Sequence, residues 1–258
     1  MNLKKYLFLL VISLLLSASC NREKQGRLAI CFTHTVDNKH IEYGKLIYTN
    51  LAGNQYQVDE LKYFISKLIL IDAEGKSVTV TQDDGIHYVD NGHENSLYWN
   101  IDKIPQRNYT AISFVFGLDE EDNYSRRFVN PPESNFFWPD FLGGGYHYMQ
   151  INGWFIDKDE KKTNMNIHTG IGQIKDENGQ ISQFVHNYFI VTIPVTFSID
   201  ESYTTSLTFN MEIQHWFDAP NLYDFNEYGT KIMQNQHAQE LLKENGKNVF
   251  NILQNLIL

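Results

Sequence analysis

Nine residues in the middle of the chain, YTAISFVFG at 109–117, alternate as a β-strand does. Thr110, Ile112, Phe114 and Phe116 fall on one face of an extended segment, and Ala111, Ser113 and Val115 on the other. A strand with one bulky face has to bury it against a second layer. Similar runs recur at 27–34, 66–71, 77–81, 96–101, 153–157, 164–172, 187–197 and 206–217, separated by short polar or glycine-containing turns. This spacing predicts an all-β fold, an antiparallel β-sandwich. Pro194 interrupts one run and marks an edge or a bulge. Residues 56–72 satisfy helix and strand periods at once, and read as an extended start, a short helix at 59–62 and a strand. Residues 229–258 have helical composition and predict one or two C-terminal helices.

The strands are organised around NFFWPDFLGGGYHYMQINGWF, residues 135–155. Aromatic rings supply large, rigid buried area, and Gly143, Gly144 and Gly145 let the backbone turn sharply. No helix pattern follows the glycines, so a phosphate cradle is not indicated. The stretch reads as an aromatic loop, a glycine pivot and a core strand.

At the N-terminus, Lys4 and Lys5 precede an apolar run too short to span a bilayer. Small residues then lead to Cys20, a pattern resembling a bacterial lipobox. The expected organisation is a signal peptide over 1–19, a lipid-anchored tether over 20–26, and one domain over 27–258. Acylation of Cys20 would hold that domain at a membrane while it stays in water. No acidic run follows the cysteine, and the expected location is the cell envelope, as an outer-membrane lipoprotein facing the periplasm. The formal charge is −10, and loss of Lys4 and Lys5 deepens it. Such a surface excludes nucleic acid as a partner, because phosphate contacts need clustered Lys and Arg. Cys31, left alone after acylation, cannot form an intrachain disulfide and reads as a buried thiol.

The chain has no nucleophile elbow, P-loop, zincin or C-x-x-C motif. The acidic run Asp119-Glu120-Glu121-Asp122 lacks the glycine and closing Glu of an EF-hand, and reads as a solvated loop. Among nine histidines, His34, His147, His168 and His215 lie in or beside strand runs. Met149, Met165 and Met211 each lie within a few residues of one of them. Imidazole and thioether together suit copper. Each histidine also fits an ordinary structural role.

Several short motifs occur in a fixed order: Phe32-x-His34; Tyr48-x-Asn50-x-x-Gly53-x-x-Tyr56-x-Val58-x-x-Leu61-x-Tyr63-x-Ile65-Ser66; and Ile112-x-Phe114-x-Phe116-Gly117-x-Asp119. Then come Phe137-Trp138, Gly145-Tyr146, Gly153, His168-x-Gly170, Ile193-Pro194-Val195, and a closing Met233, Ala238, Leu241, Asn245 and Phe250. In this order they resemble the MbnP family of exported copper-binding proteins. The resemblance implies a copper-binding, non-enzymatic protein with a partner di-haem peroxidase that oxidises a tryptophan to kynurenine near the metal. Carried over by motif, it implies His34 and His168 as metal ligands, with His215 placed third by strand position, and Trp138 as the oxidisable residue. The chain departs from the family at Asp140, where a second tryptophan is common.

The alternative is a lipid-anchored glycan- or peptide-binding module without metal, in which Trp138, Tyr146 and Tyr148 line an open groove. A hydrolase would need a paired nucleophile and base, which no spacing in the sequence provides.

Overall fold

The computed structural model describes residues 23–254; the segment 1–19 and Cys20 lie outside them. The strands in chain order are β1 (Gln25–Val36), β2 (Lys39–His40), β3 (Tyr48–Thr49), β4 (Gln55–Asp72), β5 (Ser77–Thr79), β6 (His87–Asp90), β7 (Tyr98–Pro105) and β8 (Asn108–Phe116). They continue with β9 (Met149–Ile156), β10 (Lys162–Thr169), β11 (Ile171–Lys175), β12 (Ile181–His186), β13 (Phe189–Ser198), β14 (Thr204–Glu212) and β15 (Phe250–Gln254). The helices are α1 (His215–Asp218), α2 (Phe225–Tyr228) and α3 (Gln236–Asn245).

The expected sandwich is present. A larger sheet runs β10-β9-β4-β8-β13, with β3, β5 and β6 also on β4. A smaller sheet runs β15-β14-β1-β2, with β7 also on β1. β11 and β12 form a separate hairpin. Among the described residues, strands pair antiparallel except β1 and β14, which run parallel. Leu28, Ile30 and Phe32 of β1 share one core with Ile112 and Phe114 of β8 and Ile151 of β9. Pro194 sits on the edge strand β13, where the register with β8 slips between Pro194 and Phe197, as a missing N–H requires.

Three expectations need correction. Residues 59–62 are not helical: Gln55–Asp72 is one continuous strand. Its helix-like periodicity arises because both faces are buried. Tyr63 and Ile65 point into the sandwich core, while Phe64 belongs to a second apolar cluster on the outer face of the same sheet, and double burial removes the two-residue alternation. The expected C-terminal helix is present as α3, after which the chain re-enters the smaller sheet as β15. The tether expected over 20–26 already belongs to β1 from Gln25. Cys31 is only half-buried, on the outward side of β1; desolvation raises its thiol pKa.

The acidic run is not simply solvated. β4 bulges between Ser66 and Ile69, with Lys67 at φ +52°. That left-handed turn sends the Lys67 ammonium into the loop, 2.7 Å from Glu121, 3.2 Å from Asp122 and 3.6 Å from Asp119. An internal cation therefore occupies the acids. The same loop supplies Asn123, whose Oδ1 accepts from the Tyr146 N–H at 2.8 Å.

Candidate metal centre

The aromatic stretch folds back on itself over the outer face of the larger sheet. Phe137 bridges Tyr146, the backbone N–H of Trp138 donates to Gly145 O at 2.8 Å, and that of His147 donates to Phe136 O at 3.0 Å. The glycine pivot makes this ribbon possible. Gly145 has φ +76°, and a Cβ there would lie 2.3 Å from Asn123 Oδ1. Asp140 serves the same turn: Ser125 Oγ donates to Asp140 Oδ1 at 2.9 Å and accepts from Gly145 N–H at 2.9 Å. Asp140 thus helps hold the pivot in place through Ser125.

Tyr148 N–H then donates to Thr169 O at 2.8 Å, docking the ribbon on the end of β10. This contact sets His147 beside His168. Their ring centroids are 5.1 Å apart and nearly perpendicular, at 81°. The Trp138 ring lies 4.8 Å from that of His147, at 79°. Trp138 is 1% exposed, and its Nε1–H donates to Leu142 O at 3.2 Å. Gly170 makes room for the indole, since a Cβ there would stand 2.6 Å from Trp138 Cε3. This explains the glycine two residues after His168. Buried Gln239 of α3 accepts from Gly170 N–H at 3.0 Å, so the C-terminal helix anchors the same corner. Gly170→Ala is expected to destabilise the protein by about 1–3 kcal/mol through overpacking, read as a lowered urea midpoint; an unchanged midpoint would show that the indole has space to shift.

Hydrogen bonding fixes the free nitrogen of each imidazole. His147 Nδ1 lies 3.1 Å from Phe136 O. A carbonyl only accepts, so Nδ1 carries the proton and Nε2 presents a bare lone pair. That Nε2 is buried without a hydrogen-bond partner. His168 Nε2 lies 2.7 Å from Asn152 Oδ1, while Asn152 Nδ2 donates to Glu60 Oε2 at 2.9 Å. The amide orientation makes Oδ1 an acceptor, so His168 carries its proton on Nε2 and leaves Nδ1 free. Burial lowers the pKa of His147 to about 3 and that of His168 to about 4. Both rings are neutral at physiological pH and offer lone pairs. Two imidazoles on one ion, each with a metal–nitrogen bond of about 2 Å, have ring centroids about 5–6 Å apart, which the observed separation matches. Two neutral imidazoles this close make a candidate donor pair that could hold a metal.

His34, His168 and His215 are not brought together. His34 lies inside β1, where Tyr63 OH is 3.1 Å from Nε2 and Tyr43 OH is 2.9 Å from Nδ1. Both ring nitrogens are engaged. Strand alternation points His34 into the sandwich core with Phe32, whereas His168 points outward, opposite its core neighbour Ile167. His215 does not end a strand. It begins α1, with Nδ1 3.1 Å from Asn248 O. Met149, Met165 and Met211 belong to the core between the sheets, away from the outer-face pair. Among the described residues, no group of three or more His, Cys, Asp and Glu converges on one point. His147 was legible only as a histidine within the aromatic stretch; the ribbon that turns it towards His168 depends on long-range contacts.

The open groove expected of a glycan-binding module is absent at the named rings, since Trp138, Tyr146 and Tyr148 are each 1% exposed. A cavity of about 330 Å³ does reach the indole, between Ser125, Phe137 and Asp140. A larger one of about 520 Å³ lies over Phe64, Tyr88 and Phe128, with Asp83, Asp84 and Glu133 among its lining residues.

Fold and site together define a β-sandwich protein with two neutral imidazoles and an indole clustered on the outer face of its larger sheet. The family model MbnP matches residues 25–235, and the chain belongs to the MbnP family. It is also similar to the solved structure of MbnP from Methylosinus trichosporium, at 16% identity and a TM-score of 0.57, over 90% of this chain and 99% of that one. That likeness shows a shared fold. No curated protein matches the chain. Family membership associates the protein with copper.

Proposed function

We propose that this chain is a copper-binding lipoprotein of the cell envelope, in which His147 and His168 hold one copper ion beside Trp138. The observation that carries this reading is the bare, buried Nε2 of His147, on a ring whose centroid is 5.1 Å from that of His168. A buried lone pair without a partner is costly, and a metal ion would satisfy it. Both donors are uncharged, and the aromatic rings of Phe136 and Trp138 pack against His147. The cost of desolvating an ion rises steeply with its charge, so this donor set favours a monocation over a dication. Imidazole nitrogen is an accepted ligand for copper, and the family association supports copper over other soft ions.

In this reading the protein binds and presents copper and turns over no substrate. Acylated Cys20 anchors it, facing the periplasm. Trp138 is the oxidisable residue, with a di-haem peroxidase as the partner that oxidises it. Its indole packs against a metal-binding imidazole and lines the 330 Å³ cavity, which supports a modification at this position despite Asp140.

Titration of apo-protein with Cu(I) against a competing chelator tests the site. One equivalent is expected to bind. His147→Ala and His168→Ala are each expected to weaken binding by more than about a hundredfold, beyond the range of outer-shell losses. His34→Gln is expected to leave the affinity unchanged. Wild-type affinity in a His147→Ala/His168→Ala double variant would overturn the assignment.

A further inference from the structure

We infer that Glu60 and Asn152 are positioning residues that present His168 through Nδ1. This rests on the copper reading and specifies how the site is built. The three groups come from three adjacent strands. Glu60 of β4 stands opposite Asn152 of β9, and His168 lies on β10, which pairs with the other edge of β9. All three project from the outer face of the larger sheet. The hydrogen bonds form a directed chain: His168 Nε2–H donates to Asn152 Oδ1 at 2.7 Å, and Asn152 Nδ2–H donates to Glu60 Oε2 at 2.9 Å.

The direction of that chain is set at its carboxylate end. An ionised carboxylate only accepts, so it demands the amide NH₂ of Asn152 and turns the amide oxygen towards His168. That oxygen only accepts in turn, so it demands a proton on Nε2. Glu60 Oε1 is held by Lys62 at 3.3 Å, which leaves Oε2 for Asn152. A charge two hydrogen bonds away from the ring thereby chooses the imidazole tautomer and fixes the ring's orientation. Such outer partners also raise the basicity of a ligating imidazole. His147 needs no equivalent chain, because the backbone carbonyl of Phe136 plays the same part for its Nδ1. The two imidazoles are therefore set to bind through different nitrogens: Nε2 of His147 and Nδ1 of His168.

Imidazole ¹⁵N spectra and Cu(I) titrations of the full folded domain test this. In wild-type apo-protein at neutral pH, His168 is expected to show one tautomer, Nε2–H, with slow proton exchange. In the Cu(I)-loaded protein, Nε2 is expected to stay protonated while the Nδ1 resonance shifts. Asn152→Leu is expected to lose exchange protection and to weaken Cu(I) binding by about 10–100-fold. The exchanged pair Glu60→Gln/Asn152→Asp rebuilds the chain. The amide introduced on β4 can donate to the carboxylate introduced on β9, and that carboxylate accepts from His168. This double variant is expected to restore both readouts. Metal binding through Nε2 of wild-type His168, or an Asn152→Leu variant with wild-type exchange and affinity, would overturn the inference. If wild-type protein takes up no Cu(I), the copper reading fails on its own; the apo spectrum still decides the positioning role, with Nε2–H supporting it and Nδ1–H overturning it.

Discussion

Trp138→Ala is expected to lower the unfolding free energy by about 3–5 kcal/mol. The indole is 1% exposed and fills the space above Gly170 while packing edge-on against His147. Neighbouring groups have little freedom to collapse into the vacated volume. Phe136 is held by the ribbon, and Gly170 is tied to Gln239 and to Asn187, whose Nδ2 donates to Gly170 O at 3.0 Å. The loss is expected to carry into metal binding, because His147 would lose the wall that keeps its ring beside His168. Trp138→Phe retains most of the wall and removes the oxidisable ring. It is expected to lose less stability and to keep Cu(I) binding if copper uses imidazole nitrogen alone. Urea unfolding and chelator titration of both variants check this. A Trp138→Ala protein with an unchanged urea midpoint would show that the outer cluster is not part of the cooperative fold.

The second large effect is acid destabilisation starting well above the carboxylate range. Burial lowers the pKa of His34 to about 3, His147 to about 3 and His168 to about 4, and burial also lowers that of His87. The unfolded chain takes up these protons near pH 6.5, whereas the folded protein refuses them until much lower pH. The stability contributed by the neutral rings is therefore complete above about pH 6.5 and is lost as pH falls towards the folded values. The slope is expected to be on the order of 1 kcal/mol per pH unit for each of His34, His147 and His168. Carboxylates held down by hydrogen bonds, such as Glu60 and Asp157, add the same sign only nearer their own unfolded range of about pH 4. Between about pH 6.5 and about pH 5 the histidines act alone. Urea midpoints across that window are expected to fall, and to fall less steeply in His34→Gln. A flat profile would mean that these rings become hydrated and accept protons without unfolding.

Much of the architecture could be read one strand at a time. β8 alternates because only one of its faces carries large rings, and Pro194 announced an edge because a missing N–H is tolerated only there or at a bulge. β4 resisted the same treatment. Its Tyr63 and Phe64 are both buried, on opposite faces, because residues far along the chain fold back to cover the side that would otherwise meet water. β15 was unreadable for a related reason: five residues join a sheet only because β14 offers an edge to them.

The candidate site divides in the same way. Residue types in the aromatic stretch, the three glycines and the His168-x-Gly170 motif already marked Trp138 and His168, because ring size, left-handed backbone and close approach are local requirements. Which histidine stands next to His168 was not a local matter. His34 and His168 lie on strands whose alternation turns them to different faces, a difference that exists only once both sheets have formed. His147 reaches His168 through the Tyr148–Thr169 backbone bond, a contact between chain segments that no pattern along either one contains. Chemistry was thus written in the residues, while the pairing of donors was decided by how the ribbon docks on the sheet.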